Sequence, residues 1–527
     1  MKGYRYKEYI SNVLPCFMYG IICGSIVGAS IFFFKIAAHK AEQLSRYVYK
    51  TAGKSAILVG LVFLALIALA LLMSYIHKES PEAKGGGIPR TEGVLRGILT
   101  FKWLRTLIGT FFCSMMSFFA GLPLGSEGPS VLMGTALGGM CGEASKNKSA
   151  WSRYIMSGGA GAGFAVATGA PLSGILFALE EIHKRFTPML VLTVSISVVS
   201  ATCVNEALCS LFGIDSRLFT VESLANFKLG QIGYLLLLGV IISVAVGVFD
   251  MSIVLLGDLT ERVKRFLRPE IKLAVVFIIT GVLGFTFAGA IYSGHHTIIE
   301  VLDLGFNVGV IALLLFVRLI LMLLVTDSGA TGGIFIPTLA IGALVSALIA
   351  KLLIVIGMPT ELYATVVLLG MAAFIGGTLR SPLTASVLFI ELTGQFSNLL
   401  YVALVIFTVN FATEIFNFRS FYDSVIERME HAQNQGRKPS VARFEMVVSS
   451  GAFVVGKAVR DIMWPSSSVV TGVTRAHESG SDTDSDGEKK LYAGDKVVMR
   501  ARFFDEEQFK QYLCGLIGND SSIKRME

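Results

Sequence analysis

The chain has 527 residues, of which 53% are hydrophobic and 16% charged, and a formal net charge of +7; its mean hydropathy is +0.67. That balance excludes a soluble globular enzyme and a nucleic-acid binder, and describes a polytopic membrane protein with room for ten or more crossings at about 20 residues each. The basic residues collect between apolar runs, at 146–153, 184–185, 262–272 and 419–437, which is the pattern of cytoplasmic loops.

The first nine residues, MKGYRYKEY, are basic, and an apolar run follows from Val13 without a small-residue cleavage site. It reads as a first membrane helix and not as a signal peptide. Further apolar runs follow near 55–75, 104–120, 129–142, 155–182, 188–212, 231–257, 271–292, 306–326, 333–357, 362–377, 382–393 and 398–417. Several are too short to span at 1.5 Å per residue. Short segments broken by Gly and Pro point to a transport site built from discontinuous helices. The seven cysteines, at 16, 23, 113, 141, 203, 209 and 514, form no CxxC pair, so neither a disulfide framework nor a zinc site is expected. No metal and no cofactor is expected.

Three glycine-rich breaks stand out. Residues 85–89 read GGGIP, ahead of a helix expected to begin near Arg90; residues 125–129 read GSEGP; residues 332–337 read GGIFIP. The second lies in GLPLGSEGPSVLMG (121–134), where Glu127 sits between long apolar segments. A carboxylate in hydrocarbon costs about 2.5–3.5 kcal/mol and marks function by default. Pro129 is suited to a first helical turn. Three such breaks aim helix N-termini, each carrying about half a positive charge, at one place. They would hold a dehydrated anion without a fixed Lys or Arg.

The chain also repeats itself. Pro129 with Gly134 matches Pro337 with Gly342, and Pro171, which reaches Glu180 nine residues on, matches Pro382, which reaches Glu391 nine residues on. The membrane part is therefore a duplication, with halves of about 1–215 and 230–425. Glu180 has a partner in Glu391, so both are read as scaffold. Glu181 faces Leu392 in the alignment and Glu127 faces Phe335. These two unpaired acids are the candidates for function.

After residue 429 the character changes. Residues 430–442 read as a polar linker, and 443–527 as a small α+β domain. Strand-like alternation runs over 444–448 and 497–502, turns fall at 464–466 and 493–495, and a helix is expected over 506–516. Residues 479–490 form a polar loop, which begins like a calcium loop at Asp482 but has Ala493 where a glutamate is required. His295-His296 reads as a helix start or loop, and the sequon at Asn147 lies in a basic loop.

The three breaks, in this order and spacing, resemble the signature sequences of the CLC family of chloride channels and proton-coupled chloride transporters. The resemblance spans about residues 10–430. It implies an all-α polytopic fold of two inverted repeat halves with broken helices, and a homodimer in the plasma membrane with one pore per subunit and cytoplasmic termini. It implies chloride and protons as substrates. Glu127 matches the family's external gating glutamate, and Glu181 the internal proton-relay glutamate found in exchangers. Tyr422 and the backbone at Ile334 and Phe335 match the central anion site, completed by Gly86, Gly87, Ile88, Ser126 and Gly128. The C-terminal segment resembles the TrkA-C (RCK-C) module of bacterial ion-transport proteins, through GAFVVGKAVR (451–460) and LYAGDKVV (491–498). That likeness implies regulation or dimer contact, with an unknown small-molecule or ion ligand.

Two positions depart from the pattern. Gly86 stands where the family usually has Ser, whose hydroxyl helps to coordinate chloride. Ser126 stands where Arg or Lys precedes the glutamate, so the outer vestibule lacks that cation. The expected function is proton-coupled chloride antiport; the alternative is a passive chloride channel, or an exchanger preferring fluoride or another halide. A potassium-transport subunit would need a TVGYG-type carbonyl filter, and a membrane hydrolase an HExxH or GxSxG motif; the sequence has neither.

Overall fold

The structure is a computed structural model, and it describes all residues except 1, 145–147, 216–223, 264–267, 417, 419, 435–436, 466, 477–486, 519–521 and 527. The sequon at Asn147, Ser466 of the expected turn, Arg419, and the calcium-like Asp482, Asp484 and Asp486 lie outside the described residues.

The first half runs through α1 (Lys2–Ala52), α2 (Ala56–Glu79), α3 (Gly87–Leu95), α4 (Trp103–Ala120), α5 (Glu127–Glu143), α6 (Lys148–Thr168), α7 (Pro171–Leu176) and α8 (Pro188–Phe212). The second runs through α9 (Ile232–Val263), α10 (Pro269–Thr286), α11 (His295–Val301), α12 (Val308–Ser328), α13 (Phe335–Val355), α14 (Tyr363–Leu379), α15 (Pro382–Thr393), α16 (Leu399–Ile415) and α17 (Phe421–Gln433). Among the described residues, ten helices are long and apolar enough to cross a membrane. α13 and α14 form the buried centre of the second half, whereas Leu64 and Leu71 of α2, Phe316 of α12, and Phe407 and Phe411 of α16 are exposed. An outer surface of large apolar side chains is what hydrocarbon requires.

The apolar run 155–182 is not one helix. It breaks at Gly169, with φ +69°, and Pro171 restarts the chain as α7, which continues as a π-helical turn over Phe177–Ile182. Glycine supplies the left-handed backbone conformation there, and proline opens the next helix. The second half breaks alike at Arg380 (φ +60°) and Pro382, but α15 stays α-helical throughout.

The repeat is visible in hydrogen bonds. Glu391 accepts from the N–H groups of Leu172 and Ser173 at 2.7 and 2.8 Å, and from the Ser173 hydroxyl at 2.6 Å. Glu180 does the same for the other half, accepting from the N–H groups of Leu383 and Thr384 at 3.0 and 2.6 Å and from the Thr384 hydroxyl at 2.7 Å. Each carboxylate caps the first turn of the opposite half's helix, where N–H groups have no intrahelical acceptor. The two glutamates that the repeat pairs are thus scaffold, joined by α7 against α15.

The C-terminal segment folds as an antiparallel sheet in the order β2 (Ser468–Thr474), β3 (Lys496–Phe503), β1 (Ser440–Val447), β4 (Lys524–Met526). Helix α18 (Glu506–Ile517) lies against it, and Phe444, Met446, Val497 and Met499 bury one face with Leu513 and Leu516. Asp505 caps α18 by accepting from the N–H groups of Glu507 and Gln508. This domain docks on the end of the bundle. Phe453 packs between Trp151 and Tyr154 of α6, with ring centroids 5.3 and 5.9 Å apart. The Arg153 guanidinium donates to the Leu95 carbonyl at 2.8 Å, to the Met463 carbonyl at 3.2 Å and to the Tyr512 hydroxyl at 2.6 Å. α3 is therefore tied to the C-terminal domain through Arg153 of α6.

Candidate functional site

Each of the three glycine-rich breaks opens a helix. α3 begins at Gly87, α5 at Glu127 and α13 at Phe335. In each, the proline (Pro89, Pro129, Pro337) is the third helical residue. The helix expected near Arg90 thus starts three residues earlier. Proline lacks only an N–H that the first turn could not use, so it fits anywhere in that turn. The residues before each helix are Gly86, Ser126 and Ile334.

The breaks also interlock. Gly125 and Gly333, which the repeat makes equivalent, exchange two backbone hydrogen bonds: Gly125 N–H to the Gly333 carbonyl at 2.6 Å, and Gly333 N–H to the Gly125 carbonyl at 2.8 Å. Gly85 donates to Gly329 at 3.0 Å and accepts from Gly332 at 3.4 Å. A Cβ on Gly87 would stand 2.0 Å from the Gly128 carbonyl oxygen, and one on Gly128 would stand 2.7 Å from Gly333 Cα. Only glycine permits backbones this close. Three helix N-termini are thereby packed side by side. Thr331 braces the third loop: its hydroxyl donates to the Ala83 carbonyl at 2.7 Å, and its own carbonyl accepts from Ser117 at 2.6 Å.

Glu127 is buried at the start of α5, 2% exposed. Ser126 Oγ donates to its Oε1 at 3.3 Å, while Oε2 has no hydrogen-bond partner among the described residues. The side chain lies back over its own loop, with Oε2 2.2 Å from where a Gly125 Cβ would stand. An unpartnered buried carboxylate oxygen is costly, and beside three helix N-termini it is the expected feature of an anion position. The Tyr422 hydroxyl is also buried without a partner among the described residues. Tyr422 stands in the first turn of α17, which packs on α3. Phe335 is 1% exposed; its ring meets Phe164 edge-on at 5.1 Å, and Phe164 stacks on Phe177 at 4.3 Å. That aromatic wall runs from the start of α13 to the π-helical turn.

Glu181 lies in this turn and is 2% exposed. Ser381 Oγ donates to its Oε2. No hydrogen bond among the described residues joins Glu181 to Glu127. Ser381 was missed in the sequence, although its repeat counterpart is Ala170; the comparison that isolates Glu181 isolates it equally. Gly86 has ordinary extended geometry, φ −72° and ψ 129°, and a Cβ there would find nothing closer than Pro89 Cδ at 3.7 Å and the Gly332 oxygen at 3.8 Å. His295 and His296 open α11.

An inverted duplication of broken membrane helices, with N-termini converging beside a buried carboxylate, defines a membrane transport protein for ions. The family is fixed by the match of residues 69–414 to the voltage gated chloride channel model, and the chain belongs to this CLC family of transporters. The chain is similar to a solved slow cyanobacterial Cl⁻/H⁺ antiporter, with 26% identity over 80% of this chain and 99% of that one, at a TM-score of 0.72. It shares its fold with a eukaryotic CLC transporter at 22% identity, covering 79% of this chain and 74% of that one, with a TM-score of 0.66. It shares it also with a CLC-type fluoride/proton antiporter at 18% identity, covering 77% and 97%, with a TM-score of 0.64.

Proposed function

We propose that this CLC protein is a proton-coupled chloride antiporter. The anion sits at the convergence of the three helix starts, near Gly86, Gly87, Ile88, Ile334 and Phe335, with the Tyr422 hydroxyl as donor and Ser126 and Gly128 at its outer side. Glu127 competes with the anion when charged, leaves when protonated, and carries the proton at the outer end. Glu181 passes the proton toward the cytosol. Coupling follows because one carboxylate is either in the anion position and charged or out of it and neutral. The protein works as a homodimer with one pore per subunit, in the plasma membrane, with both termini cytoplasmic. The membrane domain covers residues 1–429, 430–442 link it to the tail, and the TrkA-C-like domain at 443–527 regulates it.

The observation that carries this reading is the buried Glu127 carboxylate, with one unpartnered oxygen, at the first residue of α5 and packed among two other helix N-termini. Reversal potentials under opposed chloride and proton gradients test it. An antiporter drives protons uphill on a chloride gradient; chloride movement with no uphill proton movement rules it out.

Gly86 supports a second reading, an exchanger with another halide preference, fluoride included. The central site lacks a hydroxyl there, and a side chain at Gly86 would meet only ordinary contacts, with Pro89 Cδ at 3.7 Å and the Gly332 oxygen at 3.8 Å. A permeability series across halides separates the two.

A further inference from the structure

α3 carries a buried acid that this cycle does not use. Glu92 is 1% exposed. Arg96 Nη1 donates to its Oε1 at 2.9 Å, and Lys184 Nζ lies 4.0 Å from the same oxygen. Both cations also reach Asp423, at 3.3 and 3.5 Å. Two cations and two carboxylates therefore join α3, the segment after the π-helical turn, and α17. α3 holds Gly87 and Ile88, the π-helical turn just before Lys184 holds Glu181, and α17 holds Tyr422.

The network has a wet side and a dry side. A cavity of about 730 Å³ lies between the end of α3, α17 and the C-terminal domain. Its wall includes Arg96 and Asp423 of the network, Glu427, Glu430 and His431 of α17, and Arg502 of β3. On the buried side, Glu181 and the Tyr422 phenol lie within electrostatic reach of Glu92. Glu180, the other acid of the π-helical turn, is not available to carry protons, because its carboxylate caps α15.

Resting on the proton-coupled reading above, we propose that Glu92 is a second protonatable residue of the internal proton route, standing between the water of this cavity and Glu181. A hydronium ion in the cavity gives its proton to the Glu92 carboxylate and becomes water. The Glu92 O–H then passes that proton to the Glu181 carboxylate, which becomes neutral while Glu92 is again an anion. The surroundings tolerate both forms. With Glu92 ionised, Arg96 and Lys184 balance Glu92 and Asp423; with Glu92 neutral, Asp423 still holds both cations in place. The charged and titratable groups facing Glu92 are Arg96 just past the end of its own helix, Lys184 and Glu181 beside it, and Asp423 and Tyr422 from α17. The C-terminal domain, which supplies Arg502 and Tyr512 to the cavity wall, controls access to the cavity.

The test uses the full-length protein in proteoliposomes, with chloride and proton fluxes read in parallel. Glu92→Gln lowers proton flux by about tenfold or more, as removal of a proton-transfer group does, and lowers chloride flux much less; Glu92→Asp restores proton flux. A wild-type coupling ratio that survives Glu92→Gln overturns this proposal alone. A wild-type protein that moves chloride without protons overturns the antiport reading and this one with it. If Glu92→Gln does not elute as folded protein, Glu92→Asp decides. The shorter acid shifts the pH of half-maximal proton flux, and an unchanged pH profile rejects the relay.

Discussion

Four of the glutamates of the membrane domain fall into two kinds. Glu180 and Glu391 are repeat partners, and each accepts three hydrogen bonds from the first turn of the other half's helix. Glu127 and Glu181 have no repeat partner; one has an oxygen without a donor and the other a single serine hydroxyl. The backbone separates them as well. The two halves break at matching places, yet only the first winds as a π-helix where Glu181 sits, and such turns recur at functional positions. In a duplicated fold, what both halves share holds the halves together, and what one half adds is free to do chemistry.

The largest effect is expected at Glu127. Glu127→Gln behaves as a permanently neutral gate: proton flux falls about a hundredfold or more, and chloride flux persists and loses its dependence on pH. Retention of uphill proton transport in this variant would contradict the gate assignment. Glu181→Gln comes next and is narrower, because the gate remains. Proton flux falls while chloride flux keeps its pH dependence, since Glu127 still titrates. If coupling is intact in Glu181→Gln, Glu181 is as structural as its neighbour Glu180, and the distinction between paired and unpaired acids fails.

The glycines offer the same contrast. A Cβ on Gly87 overlaps the Gly128 carbonyl oxygen at 2.0 Å, whereas one on Gly86 meets only ordinary contacts at 3.7 Å and beyond. Gly87→Ala therefore costs about 3 kcal/mol of stability by overpacking backbone against backbone. Gly86→Ser fits with a change of about 0.5 kcal/mol or less. It adds a hydroxyl at the proposed anion site and is expected to raise chloride affinity, measured by calorimetric titration of the purified protein. Equal losses of thermal stability in the two variants would show that the three helix starts are not packed as described.

Much of this arrangement is legible in the sequence because backbone conformation is written in Gly and Pro. The breaks at 85–89, 125–129 and 332–337, the duplication, and the isolation of Glu127 and Glu181 all follow from where those residues recur. What the chain does not announce are contacts between distant polar side chains. Glu92 reads as one more polar residue on a short helix, and only the approach of Lys184 and Asp423 makes it part of a network. The tail divides in the same way. β1 and β3 alternate cleanly and are visible, but β2 carries a register shift between Val470 and Gly472 that breaks the period of two. β4 has three exposed residues and no apolar signal.

The smallest effect on coupling is expected where the repeat pairs its acids, and it is the sharpest check on the comparison. Glu391→Gln keeps the shape of the side chain. It replaces one carboxylate oxygen with an amide that points its own N–H groups at the N–H groups of Leu172 or Ser173. Charge-assisted hydrogen bonds at a helix start are thereby lost, at a cost of about 1.5–3 kcal/mol. Glu180→Gln makes the same change on the other side, against Leu383 and Thr384. Both variants are expected to unfold at a lower temperature by similar amounts, because the two caps are equivalent by symmetry. In both, the ratio of chloride to protons moved by the folded protein stays that of the wild type, because neither carboxylate has an oxygen free to accept a proton without releasing its helix. A changed ratio in Glu180→Gln alone would place that residue on the proton route with Glu181, and the symmetry argument would then hold for Glu391 only.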